Sequence, residues 1–87
     1  DIALIHSKEF SSLDIINIIK KTGKPLLENV ELIDRYEGSS IPENSISQAF
    51  RIRYRDIKKT LAEEDINPIH EKIREALKEK LRAELRS

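Results

Sequence analysis

The stretch that decides the fold of this chain is SQAFRIRYR, at residues 47–55. Apolar side chains stand at positions 50, 52 and 54, whereas arginines stand at positions 51, 53 and 55. Successive side chains of a β-strand point to opposite faces of the sheet, so this alternation predicts a strand that is buried on one side only. The exposed side of the strand carries the arginines.

Shorter signals before this strand predict three further elements. The apolar run IALI at residues 2–5 is too short for a helix and suits a buried strand. Ser11 or Ser12 can cap a helix whose apolar residues recur at a spacing of three, and Gly23 can end it. The alternating pattern of residues 26–36 predicts a second strand.

A second helix and a last strand are predicted after the arginine-bearing strand. Thr60 followed by Glu63 matches a capping box, and apolar residues then recur at helical spacing. Pro68 interrupts this helix, so we expect a kink there, or a restart with Asn67 as the cap. Residues 83–86 can form a terminal edge strand.

The predicted element order is β-α-β-β-α-β, without an internal repeat. It favours an α+β, ferredoxin-like fold in which both helices cover one face of a four-stranded antiparallel sheet. A chain of 87 residues has room for one core, so we expect residues 1–87 to form a single domain. The other face of the sheet is expected to stay open.

Composition limits the classes of function. The chain has no cysteine, hence no disulfide or thiolate metal site, which agrees with a reducing compartment such as the cytoplasm. No apolar run approaches the ~20 residues that cross a bilayer, so no membrane partner is expected. The net charge is zero, but residues 51–59 carry five basic and one acidic side chain, which indicates a local affinity for nucleic acid.

Four motifs together resemble one known family. They are LIDRYEG at residues 32–38, IPE at 41–43, SQAFRIRY at 47–54 and TL at 60–61. These motifs are similar to those of the ferredoxin-fold anticodon-binding domain that closes the β subunit of bacterial phenylalanine-tRNA synthetases. The likeness covers essentially the whole chain, which implies a domain excised from the C-terminus of a larger chain.

The resemblance implies binding of the anticodon of phenylalanine tRNA, through the open sheet face. The implied binding site contains a carboxylate that can accept hydrogen bonds from the amino and imino groups of guanine. It also contains a small hydroxyl and a tyrosine that can stack on a base. A row of arginines can position the RNA backbone. The expected tRNA-binding residues are Asp34, Tyr36, Ser47, Ala49, Arg51, Arg53 and Arg55.

The residues alone also allow plainer roles for this set. Tyr36 can be a packed tyrosine at a strand end, and the arginines can form a solvated face paired with acids such as Glu31. Strict alternation puts Asp34, like Tyr36, on the same side as Val30 and Leu32, which should be buried. A bulge, or a strand end that projects beyond the helices, would bring it to the open side.

The resemblance also implies which molecules accompany the domain. We expect no catalytic residue, cofactor or metal in the domain itself, and ATP and magnesium at a catalytic site elsewhere in the parent enzyme. The expected partners are phenylalanine tRNA, the remainder of the synthetase β chain and its α subunit, and no DNA.

Other classes of function fit the predicted fold less well. A hydrolase of this fold is disfavoured because no glycine-rich phosphate loop and no nucleophile-base pair is evident. A general RNA-recognition module lacks its stacking platform, since Phe50 and Tyr54 fall on the core side of their strand. A subunit-assembly domain that uses the last strand as a seam stays open.

Overall fold

A computed structural model describes residues 1–86 and shows one sheet with two helices. The strands are antiparallel and lie in the order β2-β3-β1-β4. This arrangement confirms the predicted ferredoxin-like fold. The elements are β1 (Ile2–Ser7), α1 (Ser12–Gly23), β2 (Leu27–Tyr36), β3 (Ser45–Tyr54), α2 (Glu63–Leu81) and β4 (Glu84–Leu85).

Helix α1 begins and ends where the sequence predicts. The Ser11 hydroxyl accepts the backbone N–H of Asp14 at 3.1 Å, and the Asp14 carboxylate accepts the backbone N–H of Ser11 at 2.8 Å. This reciprocal pair satisfies two N–H groups that have no partner within the helix. Gly23 is the last helical residue.

Helix α2 departs from the prediction at its start. It begins at Glu63 with Ala62 at the N-cap position, so the predicted cap at Thr60 is wrong. The Asp65 carboxylate accepts the backbone N–H of Ala62 at 3.0 Å, which supplies half of a capping box without a capping hydroxyl. The helix then runs continuously through Pro68, so the predicted restart does not occur.

Both helices pack on one face of the sheet. Phe50, at the centre of β3, is fully buried beneath them. Every buried side-chain polar atom of residues 1–86 has a hydrogen-bond partner. The hydrophobic core consists of Ile2, Leu4, Ile15, Ile19, Val30, Phe50, Ile73, Leu77, Leu81 and Ala83.

The turn before β3 uses a left-handed residue. Asn44 has φ of 61°, a conformation that asparagine tolerates better than most residues other than glycine. The backbone N–H of Lys8 donates to the Asn44 carbonyl at 2.9 Å. This bond ties the turn to the end of β1.

Candidate nucleic-acid interface

One side of β3 faces away from both helices. Ser47 and Ala49 are half-buried there, whereas Arg51 and Arg53 are exposed. The intervening residues 46, 48 and 50 are buried on the helix side. The predicted alternation of β3 and its open basic face are therefore confirmed.

A bulge in β2 brings two further predicted residues to this open face. Leu32 pairs with Phe50, but Asp34 pairs with Ala49, so the register shifts by one residue at Ile33. One extra residue reverses the side to which the following side chains point. Asp34 thus lies on the open face through a bulge, one of the two alternatives that the sequence left open, and strict alternation does not hold along β2.

Three predicted residues meet in one depression at this end of the sheet. Asp34, Tyr36 and Ser47 line a cavity of about 380 Å³ that opens to solvent. Tyr36 and Ser47 are directly paired in the register of β2 and β3. Three residues that sequence reasoning did not select complete the lining: Ser40, Ile41 and Arg86.

Local contacts fix the two side chains that β2 contributes. One carboxylate oxygen of Asp34, Oδ1, accepts the backbone N–H of Arg35 at 2.9 Å. Tyr36 is 48% exposed, and its ring leans over Gly38. A methyl group at position 38 would overlap the tyrosine hydroxyl, so glycine there permits this position of the ring.

The arginines beyond the depression differ in their partners. Arg51 Nε lies 3.3 Å from Asp1 Oδ1. Arg55 Nη1 lies 3.7 Å from Glu28 Oε1. Within residues 1–86, Arg53 has no ion pair. Arg55 follows the last residue of β3, and its backbone N–H donates to the Leu26 carbonyl at 2.7 Å.

A buried polar network lies beneath this face, on its helix side. His6 Nδ1–H donates to the Ser7 carbonyl at 2.8 Å, and Gln48 donates to His6 Nε2 at 2.7 Å. The Ser12 hydroxyl donates to the Gln48 side-chain oxygen. Burial lowers the pKa of His6, because a desolvated imidazole favours its neutral form.

No metal site accompanies this interface in the described part of the chain. Among residues 1–86, no three His, Cys, Asp or Glu side chains converge as metal ligands would. His70 instead lies at the edge of the core, where its Nδ1 is 3.3 Å from the Tyr54 hydroxyl. In the same residues, neither helix has the length and apolar character that crossing a membrane requires.

Comparison with known proteins identifies the family. The sequence profile named "Ferredoxin-fold anticodon binding domain" matches residues 1–86. This chain belongs to that family. The match confirms the resemblance of the sequence motifs, and the sheet order agrees with the fold that the family's name describes.

The chain is similar in sequence to the β subunits of cyanobacterial phenylalanine–tRNA ligases. The β subunits of three Prochlorococcus marinus strains, NATL2A among them, are 80%, 61% and 59% identical to the chain. Each match covers the whole chain but only 10–11% of the relative. The chain thus spans about a tenth of the length of these subunits.

Proposed function

We propose that this chain binds the anticodon arm of a phenylalanine tRNA on the open face of its sheet. One observation carries the proposal: Asp34, Tyr36 and Ser47 place a carboxylate, an exposed aromatic ring and a hydroxyl around one depression. Specific readout of RNA usually targets loops whose bases are unstacked and splayed out. The depression is open to solvent and can admit such a base.

The Asp34 carboxylate is suited to guanine. Its Oδ1 accepts one hydrogen bond from the backbone N–H of Arg35, which orients the group and leaves Oδ2 and the second lone pair of Oδ1 to accept further bonds. Guanine presents adjacent imino and amino donors on its Watson–Crick edge, so a carboxylate can accept from both. The ring of Tyr36 offers a stacking surface, and Ser47 is small enough to let the base approach.

The two arginines of β3, with Arg55 directly after the strand, position the RNA backbone. Alternate residues of a strand lie about 6.6–6.8 Å apart, so the guanidinium groups of residues 51, 53 and 55 can follow a run of phosphates. Arg53 is the least engaged of the three, because no carboxylate of residues 1–86 pairs with it. We therefore expect Arg53 to gain most from a phosphate contact.

The relatives suggest the larger setting. We infer that residues 1–87 form one domain at the C-terminus of a phenylalanine–tRNA ligase β subunit in the cytoplasm, in contact with the rest of that chain and with an α subunit. ATP and magnesium would serve a catalytic site elsewhere in that enzyme. Contacts of the tRNA outside this domain would raise the effective concentration of the anticodon near the depression.

A binding titration tests the proposed function. Fluorescence anisotropy would compare a phenylalanine anticodon stem-loop with one whose anticodon guanine is replaced by adenine. We expect tighter binding of the first, and we expect Asp34→Asn to abolish about 1–3 kcal/mol of this preference. Asparagine keeps the oxygen that accepts from Arg35 but turns an amide donor toward the guanine donors. Glu75→Gln, an exposed change on α2, is the matched control.

Two outcomes would reject the proposal. Equal affinity for both stem-loops would indicate an RNA-binding domain without anticodon specificity. Absence of binding to either, with the fold intact by circular dichroism, would favour a subunit-assembly role.

A further inference from the structure

A polar side chain is buried beneath the depression, on the helix side of the sheet. Gln48 of β3 is 2% exposed, and its Nε2 lies 2.7 Å from His6 Nε2 on β1. Its Oε1 accepts the hydroxyl of Ser12, the first residue of α1. Burying an amide is unfavourable unless both of its ends are hydrogen-bonded, because the group loses its bonds to water. The Gln48 amide meets this condition by joining three elements of the fold.

The hydrogen bonds of this network run in one direction. Since His6 Nδ1–H donates to the Ser7 carbonyl at 2.8 Å, the Nε2 atom of the neutral ring is an acceptor. Gln48 donates to that atom, and its oxygen accepts from Ser12. An apolar side chain at position 48 would therefore take away the partner of both the His6 acceptor and the Ser12 hydroxyl.

Gln48 lies at the centre of the strand pair that carries the depression. It is paired with Arg35 of β2, whose neighbours in the chain are Asp34 and Tyr36. Its own neighbour on β3 is Ser47. Adjacent side chains of a strand point to opposite faces, so these three neighbours line the depression while Gln48 lies on the other side of the same backbone segments. The network therefore holds the sheet from the helix side at the place where the depression is formed.

The apolar core does not extend to this part of β3. Phe50 belongs to the hydrophobic core, but Gln48 and Ile46, which are also buried, do not. Gln48 instead lines a depression of about 500 Å³ between the start of α1 and the end of β2, together with Ser12 and Arg35. Hydrogen bonds, more than apolar packing, therefore fix the segment around Gln48 against α1 and β1.

Building on the proposed function, we infer that Gln48 is a positioning residue for RNA recognition, which fixes Ser47 and the facing part of β2 through this network. The amide does not contact the RNA, because it lies on the helix side. Recognition depends on geometry, since hydrogen bonds weaken steeply outside their normal range and binding groups have to be held within about 0.5 Å of their place. Loss of the network would loosen the depression while the core around Phe50 stays packed.

Gln48→Met tests this role. Methionine has nearly the length of glutamine but cannot donate to His6, and its sulfur is only a weak acceptor for Ser12. We expect the variant to bind the guanine stem-loop roughly three- to tenfold more weakly than the wild-type chain, with a smaller preference for guanine over adenine. Fluorescence anisotropy measures both quantities while circular dichroism confirms that the variant is folded. A loss of stability alone would weaken both RNAs alike, so the change in preference is specific to positioning.

Gln48→Glu is the conservative variant that should rescue binding. One carboxyl oxygen can accept from the Ser12 hydroxyl as the amide oxygen does. The other oxygen and His6 Nε2 can share one proton, so this bond is made whether the proton lies on the carboxyl or on the imidazole. We expect an affinity within about twofold of wild type, together with the wild-type preference for guanine.

Ile46→Val is the matched control. Ile46 is the other neighbour of Ser47, and it is buried on the same helix side. The substitution removes a buried methylene group and leaves the Gln48 amide bonded. We expect wild-type affinity and preference in this variant. If Ile46→Val weakened RNA binding as much as Gln48→Met does, general loosening of the strand end would account for the effect, and the role of Gln48 would be excluded.

Ser12→Ala tests one bond of the network by itself. The N-cap of α1 is Ser11, so this change leaves the helix cap in place. We expect roughly twofold weaker binding of the guanine stem-loop, a smaller loss than in Gln48→Met. Wild-type affinity in both variants would show that the network does not position the site.

The results separate this inference from the proposed function. If the wild-type chain prefers guanine over adenine and Gln48→Met has the same affinity and preference, the role of Gln48 is overturned and anticodon binding stands. Equal losses in Gln48→Met and Gln48→Glu would also overturn it, because only the second variant completes the network. Failure of the wild-type chain to bind either stem-loop would remove the proposed function, and this inference with it.

Discussion

The two faces of β3 differ in burial and in charge within one ten-residue strand. On the helix side Phe50 is fully buried, and Gln48, only 2% exposed, bonds to His6. On the open side Arg51 and Arg53 face solvent. Substitutions on the helix side should therefore lower stability, whereas substitutions on the open side should alter RNA binding and leave stability nearly unchanged.

The largest effect is expected on the helix side. Phe50→Ala should lower the free energy of unfolding by about 3–5 kcal/mol, because a large buried ring leaves a cavity that the core fills only in part. Urea denaturation followed by circular dichroism measures the change. The next residue supplies the control, since Arg51→Ala on the open side should cost less than about 1 kcal/mol. Similar losses for both variants would contradict the division between the faces.

Elements that depend on residues close together in the sequence could be predicted from the sequence alone. The alternation of residues 47–55 was enough to assign the two faces of β3, and the pair Ser11 and Ser12 was enough to place the start of α1 to within one residue. These features depend on side chains a few residues apart. The start of α2 was misplaced because Thr60 and Ala62 are each followed three residues later by an acid.

The rest of the candidate site depends on pairing between distant strands. The sequence of β2 left open whether a bulge or a projecting strand end brings Asp34 to the open side, because the extra residue at Ile33 is defined only by pairing with β3. Arg86 reaches the depression only because β4 pairs with β1, and not because of its own neighbours in sequence. The strand order therefore had to be known before either residue could be placed.

A smaller effect is expected from acidification on the helix side. The pKa of His6 is lowered by burial, so below its ordinary value of 6.5 the unfolded chain binds a proton more readily than the folded chain does. Stability should therefore fall as the pH is lowered from 7 through the lowered pKa. The pKa of His70 is also lowered by burial and contributes in the same direction.

Two variants separate these contributions. Urea denaturation between pH 7 and pH 5 measures how the free energy of unfolding depends on pH. We expect this dependence to be shallower in His6→Gln than in the wild-type chain, and also shallower in His70→Gln. The carboxyls of Glu37 and Asp65 have pKa values lowered by their partners Lys8 and Ala62, so they titrate below this window. An unchanged slope in His6→Gln would show that His6 is not protonated differently in the two states.

The smallest effect is expected on the open side and concerns salt. Arg53→Ala should weaken binding of both stem-loops alike and reduce the slope of log affinity against log salt by about 0.7–0.9, the share of one phosphate. Titrations at several salt concentrations measure this slope. Lys20→Ala, an exposed change on α1, should leave it unaltered. A slope unaffected by Arg53→Ala would exclude this arginine from the phosphate contacts.

The most direct measurement is a map of amide chemical shifts while the chain is titrated with the phenylalanine anticodon stem-loop. Shifts should concentrate at Asp34, Ser47 and Arg51, and those at Asp34 and Ser47 should diminish when the anticodon guanine is replaced. Residues on the exposed side of α2 should shift little. Shifts confined to α2, with the open face silent, would contradict RNA binding on the uncovered side of the sheet.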